Sequence, residues 1–343
     1  MTQNDWTKTY SLPLLEVDPS RLSHEELWIF GQVAGILQLE TKPLSGIPLI
    51  AEKTEEKDLE VSWEDDQILI RYPNAVGFAR GLSHVRELWI HGRPIKEKLQ
   101  VQDSGLMLDV SRNAVLTVES VYLLLNYMAT MGLNVLMLYT EDTYCLPSYP
   151  YFGYQRGAYT PEELKAIDDY AYRLGIEVVP CIQTLAHLAT TLKWPYAKEM
   201  KDLPNILLVG EKKTYDFIEA MFKLTRSCLR SKRIHIGMDE AHSLGRGTYL
   251  DKNGYEEPYQ IMQKHLAKVT DLAQAYGYTP MMWSDMYFRF CSPQNRYYDM
   301  DHPLTPEVLD SISDEVGLVY WDYYTHDPQV FDTMLARHFE TKS

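Results

Sequence analysis

The chain has 343 residues and a net charge of -15, with 33 lysines and arginines against 48 aspartates and glutamates. A surface this acidic repels nucleic acid and anionic membranes, so we expect neither as a partner. The length suffices for a large hydrophobic core in one or two domains, and no run approaches the roughly 18 apolar residues of a membrane span.

The cysteines and the first residues bear on the cellular compartment. The four cysteines lie far apart, without a CxxC pair or another metal-ligand spacing, which favours reduced thiols. The first residues, MTQNDWTKTYSLPLLEVD, lack the basic start and apolar core of a secretion signal. We therefore expect a cytoplasmic protein. Nothing in the sequence indicates the oligomeric state.

The first hundred residues mix strand-like and helix-like segments. LEVSWEDDQILIRY, residues 59–72, predicts two short strands joined at Asp65 and Asp66, a β-hairpin. AVGFARGLSHVRELWI follows and predicts a helix. We assign residues 1–100 to an accessory α+β domain and place the boundary in the charged, turn-rich segment 91–105.

Residues 101–343 change to strands alternating with helices, a pattern typical of parallel strands joined by helical crossovers. One helix begins with a capping box at Thr160 and Glu163, and two others end at Gly132 and Gly277. The six predicted strands are 105–111, 134–140, 176–183, 234–239, 280–285 and 317–321. The fold class is α/β, a (β/α)8-type TIM barrel with six of its eight strands evident. We therefore expect the barrel to be open or the chain to be truncated at its C-terminal end.

The fourth predicted strand, in RIHIGMDEAHS, ends in two adjacent carboxylates, Asp239 and Glu240. Active sites of parallel barrels lie at the carboxyl ends of the strands, so we expect both acids there. A protonated acid beside an ionised one suits glycosidic bond cleavage. An Asp-Glu pair is otherwise usually part of a surface loop. His235 and His242 raise the alternative of a metal site, which adjacent carboxylates and a histidine deep in the strand disfavour.

The segment HIGMDEAHSLGRG resembles the His-x-Gly-x-Asp-Glu motif of family 20 glycoside hydrolases, the β-N-acetylhexosaminidases, in particular a bacterial intracellular branch. The resemblance extends from about Gly77 to about Asp322. It implies an exo-acting enzyme that removes terminal β-linked GlcNAc or GalNAc from an oligosaccharide or glycoconjugate, without metal or organic cofactor. It also implies a retaining, substrate-assisted mechanism. Glu240 is then the general acid and base, and Asp239 orients the 2-acetamido group that attacks the anomeric carbon.

The resemblance extends to further residues at the ends of predicted strands. Arg112 is similar to the arginine of the family's Asp-x-Ser-Arg element, and Glu141 stands where the family has the first of two aspartates. VVPCIQTLAH matches the family's Pro-Glu-Ile-Asp-x-Pro-Gly-His at Pro180, Ile182 and His187. The resemblance implies these sugar-binding residues: Arg112, Glu141, His187, Trp283, Asp285, Trp321 and Asp322.

Each of these side chains also has an ordinary structural role to weigh. Arginine forms surface ion pairs, acids form solvated loop charges, and histidine and tryptophan are common in cores. The apolar rings of Trp283 and Trp321 are further expected to disfavour ionisation of Glu240 and keep it protonated near neutral pH.

Two other functions remain open at this point. One is a conventional retaining β-glycosidase, in which a second protein carboxylate attacks the sugar. The other is a non-catalytic sugar-binding protein on the same fold, since fold does not fix function.

Overall fold

The computed structural model describes residues 12–341, so the first 11 residues of the predicted accessory domain lie outside the described residues. Contacts between Cα atoms divide the chain into two compact units. The first segment of the first unit ends at Leu106. The unit also includes Leu116–Leu136 and Ala166–Val178. The second consists of Met107–Val115, Met137–Lys165 and the chain from Val179 onward. The predicted domain boundary near residue 100 stays a prediction.

The first unit is built on a mixed sheet. Its strands are β1 (Leu14–Glu16), β2 (Glu40–Thr41), β3 (Ile47–Lys53), β4 (Leu59–Glu64), β5 (Gln67–Tyr72) and β6 (Ile95–Glu97), in the order β2-β1-β3-β5-β4-β6. Helices α1 (His24–Leu37), α2 (Ala75–His91) and α3 (Val118–Met131) contact one another in this unit. The predicted helix after the hairpin is therefore confirmed as α2.

The predicted β-hairpin is also confirmed, since β4 and β5 pair antiparallel on either side of Asp65 and Asp66. The two aspartates have φ angles of 44° and 60°. Positive φ at both central residues is what a type I′ turn requires, and aspartate tolerates it better than most side chains. The turn chemistry therefore agrees with the observed register, in which Glu64 pairs with Gln67.

Eight further strands follow in the chain. They are β7 (Gly105–Asp109), β8 (Val135–Tyr139), β9 (Glu177–Cys181), β10 (Lys201–Leu203), β11 (Ile206–Leu207), β12 (Arg233–His235), β13 (Thr279–Trp283) and β14 (Gly317–Val319). β10 and β11 form a small antiparallel pair, and the others form one sheet in the order β14-β13-β12-β9-β8-β7. β12 pairs in parallel with β9 and β13, and β13 with β14. Within residues 12–341 the six predicted strands are confirmed, and they form half-barrel architecture of the α/β class.

Helices alternate with these strands. They are α4 (Pro161–Arg173), α5 (Ala189–Leu192), a 3-10 helix (Pro195–Met200), α6 (Lys212–Cys228), α7 (Thr248–Asn253), α8 (Pro258–Ala275), α9 (Asp285–Cys291), α10 (Pro306–Ser311) and α11 (Pro328–Phe339). The predicted capping box is present before α4: the Thr160 N–H donates to Glu163 Oε2 at 2.8 Å, and the Glu163 N–H to Thr160 Oγ1 at 3.1 Å. Among the helices of residues 12–341, none has both the length and the apolar character needed to cross a bilayer.

The strand before the acid pair is shorter than predicted. β12 ends at His235 rather than at Asp239, because Gly237, Met238 and Glu240 have φ angles of 71°, 71° and 53°. Left-handed backbone cannot continue a strand, so the strand stops before the acid pair. The chain instead turns sharply and leaves Asp239 8% exposed, while Glu240 is half-buried.

Candidate active site

The structure brings His187 together with both acids of the pair. His187 Nε2 lies 3.0 Å from Asp239 Oδ2 and 3.3 Å from Glu240 Oε2. Its Nδ1 lies 4.0 Å from Glu141 Oε1. The residues come from three separate loops, following β8, β9 and β12. One imidazole therefore faces three carboxylates.

The contacts between His187 and the acid pair set the charges of His187 and Asp239. Burial alone would lower the pKa of His187, but its hydrogen bonds to Asp239 and Glu240 raise the pKa to about 10. Burial alone would raise the pKa of Asp239, yet the hydrogen bond and charge of His187 hold it below its ordinary value. The histidine is therefore a cation, and Asp239 is ionised.

Glu240 differs from the expectation that nearby apolar rings keep it protonated. Its pKa is lowered, first by the hydrogen bond from His187, which outweighs desolvation by burial. The expectation was wrong because a cation 3.3 Å away stabilises the carboxylate more than the partly buried surroundings destabilise it. Glu240 is thus ionised beside a protonated histidine.

Asp239 is held on its other side by residues that the sequence did not single out. The Gln183 side-chain amide donates to Asp239 Oδ1 at 2.9 Å and to the Tyr139 hydroxyl at 3.0 Å. Both residues are buried. Their position at the ends of β8 and β9 was the one available indication, and glutamine and tyrosine in such places are usually core residues.

Arg112 joins the same network from the solvent side. Its guanidinium donates to the Tyr139 hydroxyl at 2.8 Å and lies 3.4 Å from Glu141 Oε1 and 3.5 Å from Asp109 Oδ2. The side chain is 50% exposed. Arg112 thus forms ion pairs and also lines the pocket, and its sugar-binding role stays a prediction.

A pocket of about 670 Å³ opens over the acid pair. It is lined by Met107, Asp109, Arg112, Tyr139, His187, Asp239, Glu240, Trp283, Trp321, Tyr323 and Tyr324. Both predicted tryptophans are among these residues. Tyr323 and Tyr324, which were not predicted, are 73% and 83% exposed and add two more rings. A cavity of this size, with aromatic walls and a few convergent charges, is typical of small-molecule sites.

Three predicted sugar-binding acids do not belong to the pocket lining. Asp285 is fully buried, and its Oδ2 accepts the backbone N–H of Glu240 at 3.1 Å. Burial and the negative charge of Asp239 raise the pKa of Asp285 to about 7. Glu141 is buried behind Arg112 and His187. These two acids therefore contact residues of the pocket instead of its open space.

Asp322 also differs from the expectation of a sugar contact. Its Oδ1 accepts the backbone N–H groups of Tyr324 and Thr325 at 2.8 and 3.1 Å, and its Oδ2 accepts the Tyr320 hydroxyl at 2.9 Å. The carboxylate is thus engaged by its own loop. Its contribution is to shape the segment that carries Tyr323 and Tyr324 into the pocket.

The ligand atoms of His187, Asp239 and Glu240 lie within 4.8 Å of one another, a spacing that a metal ion also needs. A proton on His187 accounts for the same closeness, because it pairs the imidazole with both carboxylates. His235, considered for such a site from sequence, is fully buried, and its Nδ1 accepts the backbone N–H of Gly237 at 3.1 Å. His242 interacts with the hydroxyl of Tyr297.

The chain is similar in sequence to curated proteins that are named as hexosaminidases. The chain is 28% identical over 170 residues to Hexosaminidase D of Bos taurus, covering 46% of this chain and 48% of that protein. It is 24% identical over 299 residues to Beta-hexosaminidase subunit beta of Entamoeba histolytica, covering 68% and 52%. The chain thus spans about half the length of the curated relatives it matches.

Solved structures share the fold. A mutant Streptomyces plicatus beta-hexosaminidase in complex with product GlcNAc is similar with a TM-score of 0.69 and 18% identity, over 97% of this chain and 71% of that chain. The Vibrio harveyi GH20 exo beta-N-acetylglucosaminidase in complex with N-acetylglucosamine gives a TM-score of 0.67 and 15% identity, over 91% and 54%.

The family model for the catalytic domain of glycosyl hydrolase family 20 matches residues 104–300, which is more than half of the chain and includes Arg112, His187 and the acid pair. With this match, the chain belongs to glycosyl hydrolase family 20.

Proposed function

We propose that this protein is an exo-acting β-N-acetylhexosaminidase, which removes terminal β-linked GlcNAc or GalNAc from an oligosaccharide or glycoconjugate with retention. The observation that carries the proposal is the pairing of Asp239 and Glu240 with one histidine at the base of a pocket with aromatic walls. The names of the relatives support the same substrate class.

In the proposed mechanism the substrate supplies its own nucleophile. Glu240 donates a proton to the glycosidic oxygen while the carbonyl oxygen of the 2-acetamido group forms a bond to the anomeric carbon. The C–O bond to the leaving group breaks, and a cyclic oxazolinium intermediate results. Asp239 accepts a hydrogen bond from the acetamido N–H and stabilises the positive charge. Glu240 then takes a proton from water, which attacks the anomeric carbon and restores the acetamido group.

Glu240 needs a proton for the first of these steps, although the hydrogen bond from His187 lowers its pKa. A sugar that fills the pocket excludes water from Glu240, and desolvation raises the pKa of a carboxyl. His187 Nε2 lies 3.3 Å from Glu240 Oε2 and carries a proton at neutral pH. We therefore propose that this proton shifts to Glu240 as the substrate binds.

The remaining predicted residues have proposed roles around this centre. Trp283 and Trp321, with Tyr323 and Tyr324, provide apolar faces for the sugar ring and the acetamido methyl. Arg112 offers donors to the sugar hydroxyls from the exposed part of its guanidinium. Glu141 holds Arg112 and His187 in place for these contacts.

We further propose a cytoplasmic role in carbohydrate metabolism, in the bacterial intracellular branch that the sequence resembles. Cys145, Cys181 and Cys291 are free thiols, which suits a reducing compartment. Fractionation of the native host, with the protein followed by antibody, tests the location.

The test of the activity compares two substrates of the purified protein, an aryl β-N-acetylglucosaminide and the matching aryl β-glucoside. Substrate assistance predicts turnover of the first and negligible turnover of the second, because the glucoside lacks the attacking acetamido group. A cyclic thiazoline mimic of the intermediate should inhibit, and Asp239→Asn should weaken its binding.

Other outcomes identify the alternatives. Similar rates on both sugars, without thiazoline inhibition, contradict substrate assistance and indicate a conventional retaining glycosidase with a protein nucleophile. Sugar binding without hydrolysis of either substrate contradicts the enzyme and indicates a non-catalytic sugar-binding protein.

A further inference from the structure

Gln183 is a fully buried polar side chain in direct contact with the acid pair. It follows β9 and lies between Asp239 and Tyr139, with Nε2 2.9 Å from Asp239 Oδ1 and 3.0 Å from the Tyr139 hydroxyl oxygen. The motif that this segment resembles has aspartate at the same place. This chain therefore presents an amide to Asp239 where a carboxyl would titrate.

The surroundings fix which end of the amide faces Asp239. An ionised carboxylate only accepts hydrogen bonds, so the nitrogen of Gln183 and not its oxygen must face it. The Tyr139 hydroxyl oxygen accepts from Arg112 at 2.8 Å and directs its own proton toward Glu141 at 3.4 Å. It is therefore an acceptor for the amide as well.

The backbone at Gly237 packs against the other end of the amide. A Cβ atom at this position would lie 2.1 Å from Gln183 Oε1, so only glycine lets the backbone turn pack against the amide oxygen. The same glycine has a φ of 71° in the turn before Asp239. The turn before Asp239 thus packs against the side chain of Gln183, which donates a hydrogen bond to Asp239.

We infer that Gln183 is a positioning residue that, together with His187 on the other carboxylate oxygen, keeps Asp239 ionised and aimed into the pocket over the whole working pH range. The inference rests on the proposed function, in which Asp239 must be an anion to stabilise an oxazolinium. An amide donates at every pH, whereas a carboxyl at this place shares a proton with Asp239 and donates only while it is protonated.

Two substitutions of similar size separate this role from packing. Gln183→Met fills the space but donates no hydrogen bond. Loss of a hydrogen bond to a charged group should lower kcat/KM on the aryl β-N-acetylglucosaminide by about 10- to 100-fold. Gln183→Glu donates only when protonated. Its activity relative to wild type is therefore expected to exceed that of Gln183→Met at pH 5 and to fall about 10-fold or more by pH 8.

The matched control is Thr184→Val, at the next position. It removes a buried hydrogen bond from the Thr184 hydroxyl to the Ile236 carbonyl, at 2.8 Å, without touching the acids. This variant is expected to lose stability while its pH profile keeps the wild-type shape. A structural effect common to this region would instead change all three profiles alike.

A second measurement does not depend on turnover. Carbon-13 NMR of the aspartate carboxyls, with Asp239 assigned from Asp239→Asn, follows its titration directly. We expect the pKa of Asp239 to rise in Gln183→Met and to split into two coupled steps in Gln183→Glu.

Two results with an active wild type overturn the role of Gln183 and leave the proposed function standing. One is an unchanged titration of Asp239 in both variants. The other is an activity of Gln183→Glu, relative to wild type, that stays constant across pH. An inactive wild type removes the proposed function. The NMR titration then still decides whether Gln183 sets the charge of Asp239.

Discussion

His187→Gln removes the cation that lies between the two acids. The resulting loss of unfolding free energy should depend on pH. The pKa of this histidine is raised to about 10 in the folded protein, whereas it is about 6.5 in an unfolded chain. A raised folded pKa means that the stabilisation is fully present below about pH 6.5 and is lost as the pH rises through about 10. At 1.36 kcal/mol per pKa unit the difference corresponds to about 5 kcal/mol.

A separate estimate gives a similar magnitude. Removal of one partner from a buried ion pair costs about 3 to 5 kcal/mol, because the remaining charge stays buried without compensation. In His187→Gln two carboxylates are left facing each other, since the pKa values of Asp239 and Glu240 are both lowered in the wild type. The expected loss of unfolding free energy is therefore about 3 to 5 kcal/mol at pH 6.

The assay is urea unfolding of wild type and variant at pH 6, 8 and 10, with circular dichroism. The difference in unfolding free energy should be largest at pH 6 and shrink toward pH 10. His326→Gln, at an exposed histidine of the same unit, is the control and should change stability by less than about 0.5 kcal/mol at each pH. A His187→Gln cost that is constant with pH, or that grows toward pH 10, refutes the charged histidine.

Three further substitutions test other parts of the site, and Gly277→Ala serves as the control for one of them. Glu240→Gln should slow cleavage of poor leaving groups by about 10²- to 10⁴-fold and of activated aryl groups far less; equal losses in steady-state kinetics exclude the general acid role. Arg112→Lys should lower kcat/KM about 10- to 100-fold despite its charge, because one ammonium cannot replace the planar guanidinium; wild-type kinetics would make the arginine purely structural. Gly237→Ala should lower the unfolding free energy by about 2 to 4 kcal/mol, since its Cβ meets Gln183 at a φ of 71°. Gly277→Ala, at a φ of 73° with open space around it, should cost only about 1 to 2 kcal/mol in the same urea titration.

The sequence by itself determined the features that depend on neighbouring residues. The hairpin at Asp65 and Asp66 follows from which residues tolerate positive φ, and the start of α4 follows from the four-residue capping box that begins at Thr160. The six strands were predictable because buried parallel strands are short apolar runs between helices. Strand ends of a parallel sheet lie at one edge, so the acid pair, His187 and Arg112 were expected at the site where they are found.

Tertiary structure alone decided the contacts and charges of that site. Gln183 and Asp239 are 56 residues apart, and nothing local in either segment predicts that an amide faces the carboxylate. Glu240 is ionised because a cation is 3.3 Å away, whereas the aromatic rings expected around it suggested a protonated acid. Asp322 is bound by its own loop although it stands at a strand end. Hydrogen bonds and pKa values depend on distance and burial in three dimensions, and a sequence pattern carries neither for residues that meet only in the folded chain.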